Sequence, residues 1–235
     1  MKRVGILLPA YNEGESIGEV LKEARKFFPD STIVVVDDGS TDRTAEIAES
    51  EGATVIRHVQ NLGKGDALKT GFEFFLDHTD VEYVIVADAD GQYSVRDGEK
   101  LLRPLQDRKA DFVMGARDWK KVPFSHRLGN LVWKTAFNLL FGTKLKDTNC
   151  GFIALNREAL RRIEHTGGGY IVENSMLIEA LSKNLRIVQV PVEVHYKHVS
   201  PFIRGIRMVL GILFFIIREG VKYRTRKLLK RFNPR

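Results

Sequence analysis

Five short runs of apolar, largely β-branched residues recur through the first 115 positions, each followed by a polar loop and then by a stretch with helical spacing. The runs are Val4–Leu8, Ile33–Val36, Thr54–Arg57, Tyr83–Ala87 and Phe112–Met114. The second and fourth are apolar throughout, the mark of strands buried on both faces. Between the first two, Ile17, Val20, Leu21, Ala24 and Phe27 follow Ser16-x-x-Glu19, a capping-box pattern, at helical spacing. Asp42 or Thr41 is placed to cap a second helix that turns Ala45, Ile47 and Ala48 inward, and further helices are expected over 66–76 and 98–106. Strand–helix alternation of this kind predicts an α/β fold, a mostly parallel sheet flanked by helices on both faces. Ligands of such sheets sit beyond the carboxyl ends of the strands.

Those ends carry polar residues of one flavour. After the first strand stands Pro9-Ala10-Tyr11-Asn12-Glu13, after the second Asp37-Asp38-Gly39-Ser40-Thr41-Asp42, and after the third Asn61-Leu62-Gly63-Lys64-Gly65. Asp88-Ala89-Asp90-Gly91-Gln92 follows the fourth, and Gly115-Ala116-Arg117-Asp118 the fifth. Carboxylates leaving two buried strands at one sheet edge make a concentrated negative site that calls for a hard cation or a hydrogen-bonding ligand. Asp88, Asp90 and the amide oxygen of Gln92 suit Mg²⁺ or Mn²⁺ and leave positions for two phosphate oxygens. An ion held there neutralises a diphosphate leaving group, the difficult part of sugar transfer from a nucleotide sugar. Asp37 and Asp38 share that edge and are candidates for gripping base or ribose, whereas Asp42 reads as a cap. Gly63-Lys64-Gly65 at a helix start suits phosphate, through backbone N–H groups and the lysine, without the spacing of a P-loop.

The second half is less regular. Helices are expected over 126–141 and 173–182, and Arg186–Val194, interrupted by Pro191, reads as one or two edge strands. The single cysteine, Cys150, excludes an intrachain disulfide and a cysteine metal cage. No repeat or low-complexity linker appears, so the expected organisation is one domain over residues 1–200 and an amphipathic, basic extension over 201–235.

Taken together the loops resemble the family 2 glycosyltransferases of the GT-A fold, and more closely the polyprenyl-phosphate sugar transferases such as the dolichol-phosphate mannose synthases. The resemblance lies in Leu8 to Glu13, Val36 to Asp42, Asn61 to Gly65, Asp88 to Gln92, Gly115 to Arg117, and Asp147-Thr148-Asn149-Cys150-Gly151-Phe152, six motifs in the family's order across residues 4–195. It implies a Rossmann-like nucleotide-sugar domain and an inverting, metal-dependent transferase. Pro9, Tyr11, Glu13 and Asp38 would hold the nucleoside; Asp88, Asp90 and Gln92 the metal and diphosphate. Arg117 would contact the acceptor phosphate and Asp147 would sit beside the reacting carbon. After the last strand those synthases carry an Arg…Gly-x-Ser-Lys element, where this chain has His195-Tyr196-Lys197-His198-Val199-Ser200-Pro201. Lys197, His198 and Arg204 are expected to supply equivalent positive charge. A lipid phosphate is ionised at neutral pH, so its attack needs cationic positioning, for which Arg117 and Arg127 are apt, more than a base. A saccharide hydroxyl acceptor would instead need a base, with Asp147 or Glu173 as candidates. A sugar-nucleotide nucleotidyltransferase should open with a Gly-rich, basic loop where Tyr11-Asn12-Glu13 stands.

Charge points to the site of action. Residues 201–235 hold ten Lys/Arg against one acid, Glu219, a net +9 on a chain of +7, so the first 200 residues carry −2. A near-neutral body with a cationic end argues against a nucleic-acid-binding domain and for an anionic membrane surface. Met208–Ile217 is ten apolar residues long, where a bilayer core needs about 20, so a helix lying in the interface is expected. Met1-Lys2-Arg3 leads into too short an apolar run for a secretory leader, which puts the expected location at the cytoplasmic face of the membrane, peripherally.

Overall fold

The apolar runs become the interior of one sheet. Its strands are β1 (Val4–Ala10), β2 (Thr32–Asp37), β3 (Thr54–Arg57), β4 (Tyr83–Val86), β5 (Phe112–Arg117), β6 (Ile153–Asn156) and β7 (Ile187–Val192). They stand in the order β3-β2-β1-β4-β6-β5-β7, seven strands among the described residues. The computed structural model describes residues 3–118, 124–164, 171–195 and 202–232, except for the side chains of 124–128, 202–209 and 230–232. Ile6, Leu7 and Leu8 of β1, Ile33 to Val36 of β2 and Val84 to Val86 of β4 are each at most 2% exposed, so the uninterrupted hydrophobicity is used on both faces.

β1, β2, β3 and β4 pair in parallel, with Ile6 opposite both Ile33 and Ile85. β6, which is not among the strands expected above, runs antiparallel between β4 and β5. That reversal has a functional consequence. The loop leading into β6, residues 147–152, arrives at the same edge as the carboxyl ends of β4 and β5, because Val86 pairs with Ile153 and Met114 with Ile153. β7 pairs with β5 alone, and Pro191 lies in it opposite Ala116, tolerable at an edge where no neighbour needs its missing N–H.

The helices are α1 (Ile17–Phe27), α2 (Thr44–Ser50), α3 (Lys64–His78), α4 (Gly98–Gln106), α5 (Phe124–Phe141), α6 (Arg157–Arg162), α7 (Val172–Ser182) and α8 (Phe202–Phe232). α1 turns Ile17, Val20, Leu21 and Ala24 inward as expected, but the capping box does not form. Ser16 has αR backbone angles, which direct its hydroxyl away from the first-turn N–H groups; it donates to the Glu13 carboxylate at 2.8 Å instead. The N-cap of α2 is Arg43, with no side-chain cap; Asp42, one residue earlier, accepts from Thr44 N at 3.0 Å and ties down the helix start from there. α3 approaches β1 closely: a Cβ on Gly71 would strike the Leu7 side chain.

α8 is docked on the body. Ile212 and Ile216 are 3% and 0% exposed, Tyr223 packs on Phe141 at 5.1 Å between ring centroids, and Arg224 donates to the carbonyls of Leu139 and Leu140 at the end of α5. Cations at a helix C-terminus are well placed to satisfy such orphan carbonyls. Leu213 is partly buried against the core. A second face stays outward: Leu210, Phe214, Ile217, Val221 and Leu228 are 46–68% exposed and, by their spacing of four, three, four and seven, form one stripe. No helix among the described residues is long and apolar enough to cross a membrane.

Candidate active site

The loops after β1 and β2 are built as a unit. Asn12 takes a positive φ of 56°, which asparagine tolerates, and its side-chain oxygen accepts from Thr41 N at 2.9 Å. In return Asn12 N donates to Ser40 Oγ, Glu13 N to Thr44 Oγ1 and Gly14 N to Asp42 Oδ2, all within 2.8–2.9 Å. Tyr11 is left 46% exposed at the rim, and Pro9 sits half-buried in β1 opposite Val36. Ser16 and the backbone thus hold Glu13 facing the crevice.

Asp37 and Asp38 are buried and each is spent on internal partners. Asp37 accepts from Ser40 N at 3.0 Å and Arg57 Nε at 3.1 Å. Asp38 accepts from His58 Nδ1 at 2.7 Å, Leu62 N at 2.9 Å and Gly63 N at 2.7 Å, while the other ring nitrogen of His58 meets Thr70 Oγ1 at 2.9 Å. Asp38 therefore anchors the 58–63 loop, and Gly63 N–H points at this carboxylate. Gly39 lets that loop close down, since a Cβ there would lie 2.5 Å from the Gln60 backbone.

Lys64 opens α3 and reaches across the crevice. Its ammonium donates to Asp88 Oδ1 at 2.6 Å and to Glu173 Oε1, in the first turn of α7, at 2.8 Å. Burial alone would lower the Lys64 pKa, but the two carboxylates outweigh it and hold it above the ordinary lysine value. Glu173, weighed from sequence as a base, is here the second half of that ion pair. Gly151 fits against the pair: a Cβ there would lie 2.6 Å from Asp88 Oδ2 and 2.9 Å from Lys64 Nζ.

Asp90 is the carboxyl whose environment resists charge. Burial first, then the neighbouring Asp88 charge, raise its pKa to about 6, against the hydrogen bond from Gln92 N at 2.8 Å. A carboxylate pair pushed this way fits a divalent cation, which restores the charge balance with hard oxygen donors. Among the described residues no group of three His, Cys, Asp or Glu is close enough to cage a metal. Asp88 and Asp90 thus offer two hard oxygen ligands, which leaves further coordination positions to be filled from outside the described protein groups.

Arg117, at the end of β5, pairs with Asp147 in fork geometry, Nε to Oδ2 at 2.6 Å and Nη2 to Oδ1 at 2.9 Å. The side chains are 12% and 1% exposed. Burial opposes the guanidinium's charge, yet the Asp147 hydrogen bonds and charge carry its pKa above the usual arginine value. The structure brings these two predicted residues into direct contact, so any step by Asp147 at a sugar carbon requires this pair to open. From Asp147 the backbone continues through Asn149, whose side-chain oxygen accepts from Asn174 Nδ2 at 2.7 Å, to Gly151 beside Asp88. Cys150 is buried in this loop, its thiol pushed up to about 12 by burial and then by Asp147, which suits packing and not nucleophilic work. Lys197 lies outside the described residues. Arg127 and Arg204 lie on α5 and α8, with side chains that also lie outside them.

A mixed, mostly parallel sheet whose edge gathers Tyr11, Lys64, Asp88, Asp90 and Arg117 matches a known family: residues 5–164 fit the one described as Glycosyl transferase family 2. The chain belongs to that family. It is an enzyme of the glycosyltransferase class with the GT-A fold. A dolichyl-phosphate β-glucosyltransferase of Saccharomyces cerevisiae is 30% identical, covering 89% of this chain and 70% of that protein. A UDP-N-acetylglucosamine–dolichyl-phosphate N-acetylglucosaminyltransferase of Methanococcus voltae is 27% identical over 91% of this chain and 94% of that one. Among solved structures, glucosyl-3-phosphoglycerate synthase of Mycobacterium tuberculosis, in complex with Mn²⁺, UDP and glucosyl-3-phosphoglycerate, superposes with a TM-score of 0.76 at 23% identity. That superposition covers 93% of this glycosyltransferase and 80% of the mycobacterial chain, and speaks for the fold.

What sequence reasoning missed in the site is the Glu173–Lys64–Asp88 bridge and the route of the 147–151 loop. The turn-rich Asp147-Thr148-Asn149-Cys150-Gly151 followed by Phe152-Ile153-Ala154-Leu155 was a readable strand signal. The bridge had none, since its acids lie 24 and 109 residues from the lysine.

Proposed function

We propose that this glycosyltransferase is inverting and metal-dependent, and moves a sugar from a GDP- or UDP-sugar onto a polyprenyl phosphate such as dolichyl phosphate. The carrying observation is the polarity of the crevice, acidic at Asp88 and Asp90 and cationic at Arg117, with the 147–151 loop running between the two. Tyr11, Pro9 and Glu13 flank the nucleoside, while Asp37 and Asp38 hold the loops that shape its pocket. Asp88, Asp90 and Gln92 hold Mg²⁺ or Mn²⁺, which stabilises charge on the leaving diphosphate. Lys64 is positioned to follow that charge. Arg117, with Arg127, Lys197 and Arg204, receives the acceptor phosphate, and Asp147 orients Arg117.

An ionised phosphate oxygen attacks the sugar's anomeric carbon from the face opposite the diphosphate. The bond from that carbon to the diphosphate breaks, and its electron pair leaves with the nucleoside diphosphate. No proton has to be removed, so orientation and charge do the work. The dolichyl-phosphate acceptors of the relatives agree with this reading. Residues 1–200 form the catalytic unit and 201–235 the amphipathic extension, whose outward stripe and +9 charge favour a peripheral place on the cytoplasmic face of an anionic membrane.

The test is transfer from a panel of UDP- and GDP-sugars with Mn²⁺, with and without polyprenyl phosphate. A polyprenyl-phosphate sugar of inverted anomeric configuration is the expected product. Transfer only to saccharide hydroxyls would overturn the acceptor assignment, and full activity in excess chelator the metal assignment.

A further inference from the structure

Beyond Arg117 the crevice continues into a cavity of about 730 Å³ between α5, the 143–147 loop and the edge strand β7. Among the described residues its walls include Lys134, Lys144, Lys146 and Arg117, against one carboxylate, Asp118. With Asp147 counted against Arg117, the walls hold an excess of two positive charges. A phosphate monoester carries about −1.5 to −2 at neutral pH, so the charge is complementary.

The lysines stand on a fixed frame. Asn138 of α5 accepts from Thr143 Oγ1 at 2.7 Å and Leu145 N at 2.9 Å, and donates to Leu145 O at 2.9 Å. Gln189 of β7 accepts from Lys146 N and donates to Asp147 O, both at 2.6 Å. Two amides thus clamp the loop at both ends and pre-organise the backbone that carries Lys144 and Lys146, which lowers the ordering cost of binding. Leu131, three residues before Lys134 and seven before Asn138, lies on the adjoining face of α5 and is 51% exposed. The site therefore joins a cationic cavity to an exposed apolar flank.

We propose that this cavity captures the phosphate head of the lipid acceptor one step outside the transfer position at Arg117, with the first part of the apolar chain lying over Leu131. The assignment rests on the lipid-phosphate reading of the acceptor. Arg117 is held by Asp147, and Lys134, Lys144 and Lys146 line the cavity beyond that pair. Capture concentrates the acceptor and leaves the transfer step to Arg117.

Calorimetric binding of decyl phosphate and of inorganic phosphate to the full chain, without donor, tests this. Decyl phosphate is expected to bind the wild type, and K144Q/K146Q to weaken it at least about tenfold, since two charge-assisted contacts are lost. Lys134→Gln, on α5 outside the clamped loop, should weaken it as well, which keeps the test decisive if the double variant unfolds. Equal decyl phosphate binding by wild type, K134Q and K144Q/K146Q overturns the capture site. Inorganic phosphate binding as tightly as decyl phosphate overturns the lipid assignment. Because no donor is present, a chain that binds decyl phosphate here yet transfers no sugar to polyprenyl phosphate refutes the proposed reaction and leaves the capture site standing.

Discussion

Replacing Asp147 by Asn removes the charge that holds Arg117 while keeping nearly the same shape. Asp147 is 1% exposed and both its oxygens accept from the guanidinium, at 2.6 and 2.9 Å. In the variant one amide oxygen can still accept, but the amide nitrogen faces a donor and the arginine charge is left uncompensated. Removing one partner of a buried pair costs about 3–5 kcal/mol. Arg117 retains 12% exposure and one acceptor, so the low end, about 3 kcal/mol, is expected. For a chain of this size that corresponds to a fall in Tm of about 6–12 °C. Asp111→Asn is the matched control. Asp111 makes the same bidentate contact with Arg186, at 2.7 and 2.9 Å, but Arg186 is 55% exposed. Water screens that pair, and its loss should shift Tm far less. Thermal melts of both variants at pH 7, with urea unfolding to check that the m-value is unchanged, measure the contrast. A D147N protein that melts within about 2 °C of the wild type, or no lower than D111N, would refute the claim that the Arg117–Asp147 pair is a desolvated element of the site.

Asp90→Ala should leave the fold intact and lower transfer well over about tenfold, because the ion opposes leaving-group charge. The Asp90 pKa of about 6 lies above its ordinary 3.8, so in the metal-free protein its contribution to stability is complete below 3.8 and is lost as pH rises through 6. Protons and Mn²⁺ compete for it, so Mn²⁺ affinity measured by electron paramagnetic resonance should fall on acidification through about pH 6, and a flat profile would contradict the assignment. Lys64→Met leaves Asp88 and Glu173 without their shared cation and should weaken nucleoside-diphosphate binding about tenfold; unchanged calorimetric affinity would remove Lys64 from the donor site. On α8 the two faces should separate cleanly. Phe214→Asp, 68% exposed, should reduce co-sedimentation with anionic vesicles at constant Tm, whereas Ile216→Asp, fully buried, should lower Tm; vesicle binding unaffected by the first would sink the membrane reading.

The strand ends were legible because their signals are local. An uninterrupted run such as Val34 to Val36 leaves no wet face, and polar residues directly after it can only emerge at the edge of the sheet. Ser16 was misread for a related reason. Its pattern suits a capping box, but a hydrogen bond to Glu13 three residues earlier competes for the same hydroxyl, and the backbone angle decided between them. On α8 the amphipathic pattern was legible, but which apolar residues pack inward, Leu213 among them, depends on the body the helix docks on.

By itself, then, the sequence determined the α/β alternation, the acidic and basic strand ends, and the cationic amphipathic tail, all properties of residues within a few positions of one another. Tertiary structure alone decided who meets whom. The reversal of β6 carries Asp147 to Arg117 across 30 residues and Gly151 to Asp88, and the placing of α7 brings Glu173 to Lys64 across 109. Neither periodicity nor composition encodes such pairings, because they depend on strand order and on the direction of a single strand, which burial of the whole sheet selects and no local segment can express.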